Sequence, residues 1–170
     1  TRTDFADRIC EMVQAKEANV LEQLKARRDF RDCFLLTCDT TVIGTKADGR
    51  LVALGQPTET EWQQTVREWF LNYYAGRTHS VMSCMSLSRV TDSAVQRETS
   101  ICETRVTMRD DIEPELDWYI ASNESPGKAG GYAIQGLAST FVSRLEGSFT
   151  NVVGLPLENT LQLLRQARAI

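Results

Sequence analysis

At 170 residues, 42% hydrophobic and 25% charged, the chain has the length of one domain, 1–170, and such a chain buries roughly 70% of its unfolded surface. A net charge of −4 without any basic run argues against a nucleic-acid polymer or an anionic membrane as partner, and leaves room for a small polyanion held by a few cations. No apolar run approaches the ~20 residues needed to span a bilayer, and no signal segment opens the chain.

Residues 4–26 have the period of an amphipathic helix capped by Thr3, with Asp4 and Asp7 at its positive end. Its expected buried face holds Phe5, Ile9, Met12, Val13, Val20 and Leu24. Lys16 falls about 20° from Ile9 on the ideal wheel, inside that stripe. A lysine there must snorkel outward, meet a carboxylate or point into a site. A basic linker, 25–31, leads to the apolar run 33–38, which suits a strand covered on both faces. Asp39 and Thr40 follow at once, and the carboxyl ends of strands in α/β sheets are where ligands gather. Residues 41–44 and 51–54 read as a hairpin turning at Asp48-Gly49.

Thr58-x-x-Glu61 has the form of a capping box and opens a helix burying Trp62, Val66, Trp69, Phe70 and Tyr73, stopped by Gly76. Those aromatics keep helical spacing and belong to the core, not to a base-stacking platform. Segments 78–88 and 97–108 read as paired strands, the second alternating Cys102, Thr104, Val106 and Met108 with polar neighbours. A helix over 112–121 carries Pro114 in its first turn. Four of the ten glycines then crowd into residues 127–136, beside Lys128 and Gln135. Such a cluster allows positive φ and close approach of a ligand or of another segment of backbone. Residues 140–145 and 149–153 read as a hairpin, and Pro156 introduces a last helix burying Leu157, Leu161 and Leu164. The expected fold is α/β with α+β character: a mixed, partly antiparallel central sheet flanked by helices.

Five dispersed cysteines, no Cys-x-x-Cys and a single histidine, His79, leave little for a zinc site and point to reduced, structural thiols in a cytoplasmic compartment. The chain contains no Walker loop, dinucleotide fingerprint or nucleophile elbow. Cys84 and His79 lie five residues apart on one strand, hence on opposite faces, which excludes a dyad. What remains is a strand-end carboxylate, Asp39, two isolated lysines, Lys16 and Lys128, polar amides and a glycine cradle. That set suits a nucleotide.

Six pieces stand in order: Asp39-Thr-Thr-Val42, Gly76-Arg-Thr-His-Ser-Val81, Glu103-Thr-Arg-Val106, Lys128-Ala-Gly-Gly-Tyr-Ala-Ile-Gln-Gly136, Leu145-Glu-Gly147 and Asn151-Val-Val-Gly-Leu-Pro156. Together they resemble the Maf family, septum-formation-inhibitor-like nucleoside triphosphate pyrophosphatases related to the inosine triphosphatases. The likeness runs from about Lys16 to the C-terminal helix. It implies that Asp39 is the catalytic carboxylate and metal ligand, for Mg²⁺ or another divalent ion such as Mn²⁺, and that Lys16 binds phosphate. It also implies that Thr40 and Gln135 select the base, in the combination of the branch preferring dTTP and UTP. Gln56 stands where the family has the lysine of Gly-Lys-Pro, a substrate-binding position with one charge fewer. The family's Ser-x-Ser-Pro-Arg-Arg loop and a metal-associated glutamate would lie upstream of Thr1. The resemblance thus implies a nucleoside triphosphate as partner and an enzyme releasing pyrophosphate, with a nucleotide-binding regulator of cell division as the alternative. The family often forms homodimers, although no exposed stripe in the sequence demands one.

Overall fold

The computed structural model describes every residue except Arg28, which falls in the basic linker 25–31. Among the described residues, five strands form one sheet in the order β2-β1-β3-β4-β5, where β1 is Cys33–Thr45, β2 Leu51–Leu54, β3 Thr78–Val90, β4 Val95–Met108 and β5 Val142–Glu146. The expected helix-flanked sheet is present, and antiparallel pairing extends to all four neighbouring pairs. The expected β1–β2 hairpin forms across Asp48-Gly49, and the paired strands expected over 78–88 and 97–108 form as β3–β4, in unbroken register from Thr78↔Thr107 to Val90↔Val95.

Helix α1, Arg2–Lys25, lies on one face of the sheet. Its cap is Thr1 rather than Thr3: the Thr1 hydroxyl accepts from the Asp4 amide, and Asp4 accepts from the chain-terminal amine. On the other face sits the main core, built on α2 (Trp62–Trp69), a π-helical turn (Phe70–Tyr74), α3 (Leu116–Ala121) and the glycine-rich loop. The Thr58–Glu61 box does not form, because Glu61 itself occupies the cap position of α2 with φ −135° and ψ 24°. Pro114 opens a 3₁₀ turn, Glu113–Glu115, that leads into α3.

Two further expectations fail for local reasons. Residues 149–153 are not a strand but a short helix, α4 (Phe149–Val153), because Ser148 caps it by accepting from the Asn151 amide and Gly154 ends it at φ 127°. The buried Asn151 amide donates to the Val81 carbonyl at 2.9 Å and to Thr104 Oγ1 at 3.0 Å, pinning α4 to the sheet. In the last helix, α5 (Leu157–Gln166), the buried side chains are Thr160 and Leu163, while Leu157 and Leu161 face solvent. The cysteine reading is also corrected: Cys10 of α1 and Cys84 of β3 are joined as a disulfide, and Cys33, Cys38 and Cys102 are free. Among the described residues, no helix is long and apolar enough to cross a membrane.

Candidate active site

β2 covers β1 only from Val42 to Thr45, so, among the described residues, 33–41 of β1 have β3 on one side and an open edge on the other. Asp39 therefore lies in the middle of a 13-residue strand, not at its end, and is accessible because its outer neighbour stops short. Strand alternation sends Asp39 and Thr40 to opposite faces. Asp39 pairs across the ladder with Cys84, on the α1 face. Thr40 pairs with Ser83 on the other face, where the two hydroxyls lie 2.8 Å apart.

Lys16 meets Asp39: Nζ donates to Oδ1 at 2.6 Å, with the carboxylate side chain 19% exposed and the lysine 52%. The buried residues of α1 are Ile9, Val13 and Glu17, so the true stripe is centred on Val13, about 40° round from Ile9. Lys16 is then on its flank, and Met12, expected inside, is 49% exposed. Of the three fates open to this lysine, the structure realises the carboxylate partner.

The glycine-rich loop is fastened from beneath at three successive residues. Tyr74 donates to the Gly130 carbonyl at 2.8 Å, Tyr119 donates to the Gly131 carbonyl at 3.0 Å, and His79 Nε2 shares a 2.7 Å hydrogen bond with the Tyr132 hydroxyl. Gly130 and Gly131 have φ of 72° and 70°, and a Cβ on Gly130 would lie 2.7 Å from the Tyr74 hydroxyl and 2.8 Å from Val42. Burial keeps the His79 imidazole neutral, lowering its pKa to about 3, and pushes the Tyr74, Tyr119 and Tyr132 hydroxyls upward. Tyr74, not Tyr73, is fully buried because the π-helical turn, closed by Ala75 N–H on the Phe70 carbonyl, shifts the helical phase.

This loop and the end of α4 enclose a cleft of about 240 Å³ whose lining includes Thr40, Lys128, Gln135, Val153 and Gly154. Thr40 Oγ1 also donates to the Gly154 carbonyl at 3.4 Å, so the Asn151–Pro156 segment and the loop meet over β1. Cys38 lies nearby, its thiol pKa raised by burial and then by the neighbouring Asp39. The structure thus brings Lys16 to Asp39, and Thr40, Lys128 and Gln135 to one cleft, the two groups adjoining across the edge of β1. Gln56 lines neither; it is exposed and follows Gly55, whose carbonyl accepts from Gly130 at 2.8 Å.

One residue of this region was missed. Glu17 carries no solvent exposure and is held by Arg97, Ser86 and Ser88. Burial pushes its carboxyl up, but hydrogen bonds from Arg97, then Ser88 and Ser86, outweigh that and leave its pKa below the ordinary value. Its position four residues after Val13, on the same side of the helix, was the available signal.

Among the described residues, no group of three or more His, Cys, Asp or Glu side chains gathers to hold a metal. Asp39 still fits a hard divalent cation, because only its Oδ1 is engaged by the described residues and Mg²⁺ is commonly held by one or two carboxylates plus substrate phosphates.

Residues 2–167 match the family model described as Maf-like protein. The chain is similar to a dTTP/UTP pyrophosphatase of Cupriavidus metallidurans, with 37% identity over 170 residues, covering 96% of this chain and 74% of that protein. It is 40% identical over 153 residues to a Chelativorans protein of the same name, covering 90% of this chain and 68% of the relative. A Cupriavidus pinatubonensis dTTP/UTP pyrophosphatase is 36% identical over 168 residues, covering 99% and 76%.

Proposed function

The chain belongs to the Maf family, and from that membership we propose that it hydrolyses pyrimidine nucleoside triphosphates, UTP and dTTP first among them, to the monophosphate and pyrophosphate. The observation that carries this reading is the Lys16–Asp39 pair, 2.6 Å long, at the open edge of β1, one residue from the Thr40 that lines the cleft. A cleft of about 240 Å³ is smaller than the roughly 300–1,000 Å³ of complete ligand sites, so it takes a single-ring base and its sugar. The triphosphate then runs out over the edge of β1, between Lys128 and Lys16.

In this reading Gln135 and Thr40 supply donor and acceptor atoms to the base edge, and Val153 closes the apolar wall. Arriving phosphate oxygens compete for the half-exposed Lys16, and its move onto them frees Asp39 Oδ1. Asp39 then orients a water for attack on the α-phosphorus and accepts its proton as the bond from that phosphorus to the bridging oxygen breaks. Pyrophosphate leaves. Asp39 would hold Mg²⁺ or Mn²⁺ together with the phosphates, and the ion supplies neutralisation of their charge. Catalysis is then mostly positioning and charge stabilisation.

Product analysis over a panel of nucleotides with Mg²⁺ tests the assignment. UMP plus pyrophosphate from UTP is expected, with Asp39→Asn lowering turnover by about 10²–10⁴-fold while the thermal transition is retained. UDP plus orthophosphate would exclude this reaction class. Stabilisation by UTP with no pyrophosphate released would identify a nucleotide-binding regulator instead.

A further inference from the structure

Glu17 follows Lys16 directly in α1, and it is the last residue of that helix to be fully buried. Its apolar companions on the sheet, Ile9 and Val13 against Ile43, Met82 and Cys84, all lie toward the N-terminal end. Val20, Leu21 and Leu24 beyond it are only partly buried, so next to Lys16 the fully buried anchor of the helix is Glu17. Its two carboxylate oxygens accept four hydrogen bonds: Ser86 Oγ at 2.9 Å and Arg97 Nε at 2.8 Å on Oε2, Ser88 Oγ at 2.5 Å and Arg97 Nη2 at 3.0 Å on Oε1. The hydroxyls come from β3 and the guanidinium from β4, so one side chain ties α1 to two strands.

A buried ion pair is poor evidence for stability, because an apolar side chain of the same size often holds a helix as well. What four directed bonds add, seven residues beyond the Cys10–Cys84 link, is a fixed rotation of the helix at the level of Lys16, which apolar contact alone leaves loose. That rotation matters here because Lys16 sits about 100° from Glu17 on the wheel. With Glu17 pointing straight into the sheet, the flank carrying Lys16 turns toward β1, where Nζ reaches Asp39.

We infer that Glu17 is a positioning residue: its clamp on Ser86, Ser88 and Arg97 sets the rotation of α1 that delivers Lys16 to Asp39 and, on the functional reading above, to the phosphates. Two readouts test it, in Glu17→Ala and in the milder Glu17→Gln, which keeps the shape and one accepting oxygen but turns the other into a donor and removes the charge, and which serves alone if the alanine variant fails to fold. The first is the ¹⁵N ammonium resonance of Lys16, observed without nucleotide and identified by its loss in Lys16→Met. A resolved, slowly exchanging signal is expected in the unmodified protein and an averaged one in the Glu17 variants; an unchanged signal would overturn the inference. The second is a double-mutant cycle on kcat/KM for UTP. Glu17→Ala is expected to cost about tenfold when Lys16 is present and under about twofold in Lys16→Met, with Glu17→Gln between. Equal factors in both backgrounds would mean that Glu17 merely supports the fold. If the unmodified protein leaves UTP intact, the substrate assignment falls, and the ammonium resonance still decides the role of Glu17.

Discussion

Two glycines of the loop separate conformational strain from steric conflict, and substituting each by alanine measures both. Gly127 has φ of 73°, and a methyl on its Cα would meet open space, with nothing within 4 Å. Gly127→Ala therefore incurs only the left-handed backbone cost, about 1–2 kcal/mol. Gly130 has nearly the same φ, 72°, but its methyl would stand 2.7 Å from the Tyr74 hydroxyl and 2.8 Å from Val42 Cγ2. Neither neighbour can retreat freely. Tyr74 is fully buried and bonded to the Gly130 carbonyl, and Val42 belongs to β1 where β1 pairs with β2. Overpacking of that kind adds about 1–3 kcal/mol, for a total of roughly 2–5 kcal/mol. At roughly 2–4 °C of Tm per kcal/mol for a chain of this length, Gly127→Ala should lower the melting temperature by about 2–8 °C and Gly130→Ala by about 4–20 °C. Relief of the clash moves the loop outward, so Gly130→Ala should also raise KM for UTP more than Gly127→Ala does. Calorimetry and initial-rate kinetics on the pair check both statements. Equal Tm losses would refute the claim that Tyr74 and Val42 form a rigid floor under the loop.

Two further outcomes follow from groups around the cleft. His79 is held neutral by burial, with a pKa lowered to about 3 against 6.5 for the free side chain, so below pH 6.5 the unfolded chain takes up a proton that the folded chain refuses. Its contribution to stability is whole above pH 6.5 and falls by up to about 1.4 kcal/mol per pH unit from there toward pH 3. Denaturant titrations of the unmodified protein and of His79→Phe should converge as the pH drops from 7 to 4, and a constant difference would be contrary evidence. Gln56→Lys restores a cation beside the loop; a gain of about 1 kcal/mol would lower KM for UTP roughly fivefold at low salt, with kcat little changed. The gain should shrink at 0.5 M salt, and an unaltered KM at low salt would place residue 56 outside the reach of the phosphates.

What could be read in the sequence was what repeats with the period of an element. The alternation in β4, the Asp-Gly turn and the aromatic spacing of α2 each reflect one element meeting one surface, and they reappear in the structure. Lys16 was legible for the same reason, as a charge at an apolar phase. Glu17 was not: a carboxylate looks solvated until Ser86, Ser88 and Arg97, about 70–80 positions away, are known to converge on it. The Cys10–Cys84 link depends on an equally distant approach. Residues 149–153 misled through their β-branched valines, where a serine cap and one buried asparagine outweigh strand preference. Tyr74 escaped because a single wide turn changes the helical phase, and no regular period announces where that turn falls. Of the candidate site, Lys16, Asp39, Thr40, Lys128 and Gln135 were visible in the sequence; that Gln56 lies apart from them and that residues 33–41 keep an open edge depends on where β2 and the loop settle.

That division has an evolutionary consequence. Along β1 the pleat assigns odd-numbered positions to the α1 side and even-numbered ones to the loop side. On the functional reading, the reacting carboxylate and the base-selecting threonine are chain neighbours, yet they answer to separate surroundings. Point substitutions at residue 40, or in the loop and α4 that face it, can retune the accepted base while leaving the chemistry at residue 39 intact. A one-residue insertion or deletion between Cys33 and Asp39 does the opposite, exchanging both roles in one step. On that reading, preference among nucleotides can drift by increments in this scaffold, whereas the carboxylate at residue 39 is held to one kind of side chain and to one register.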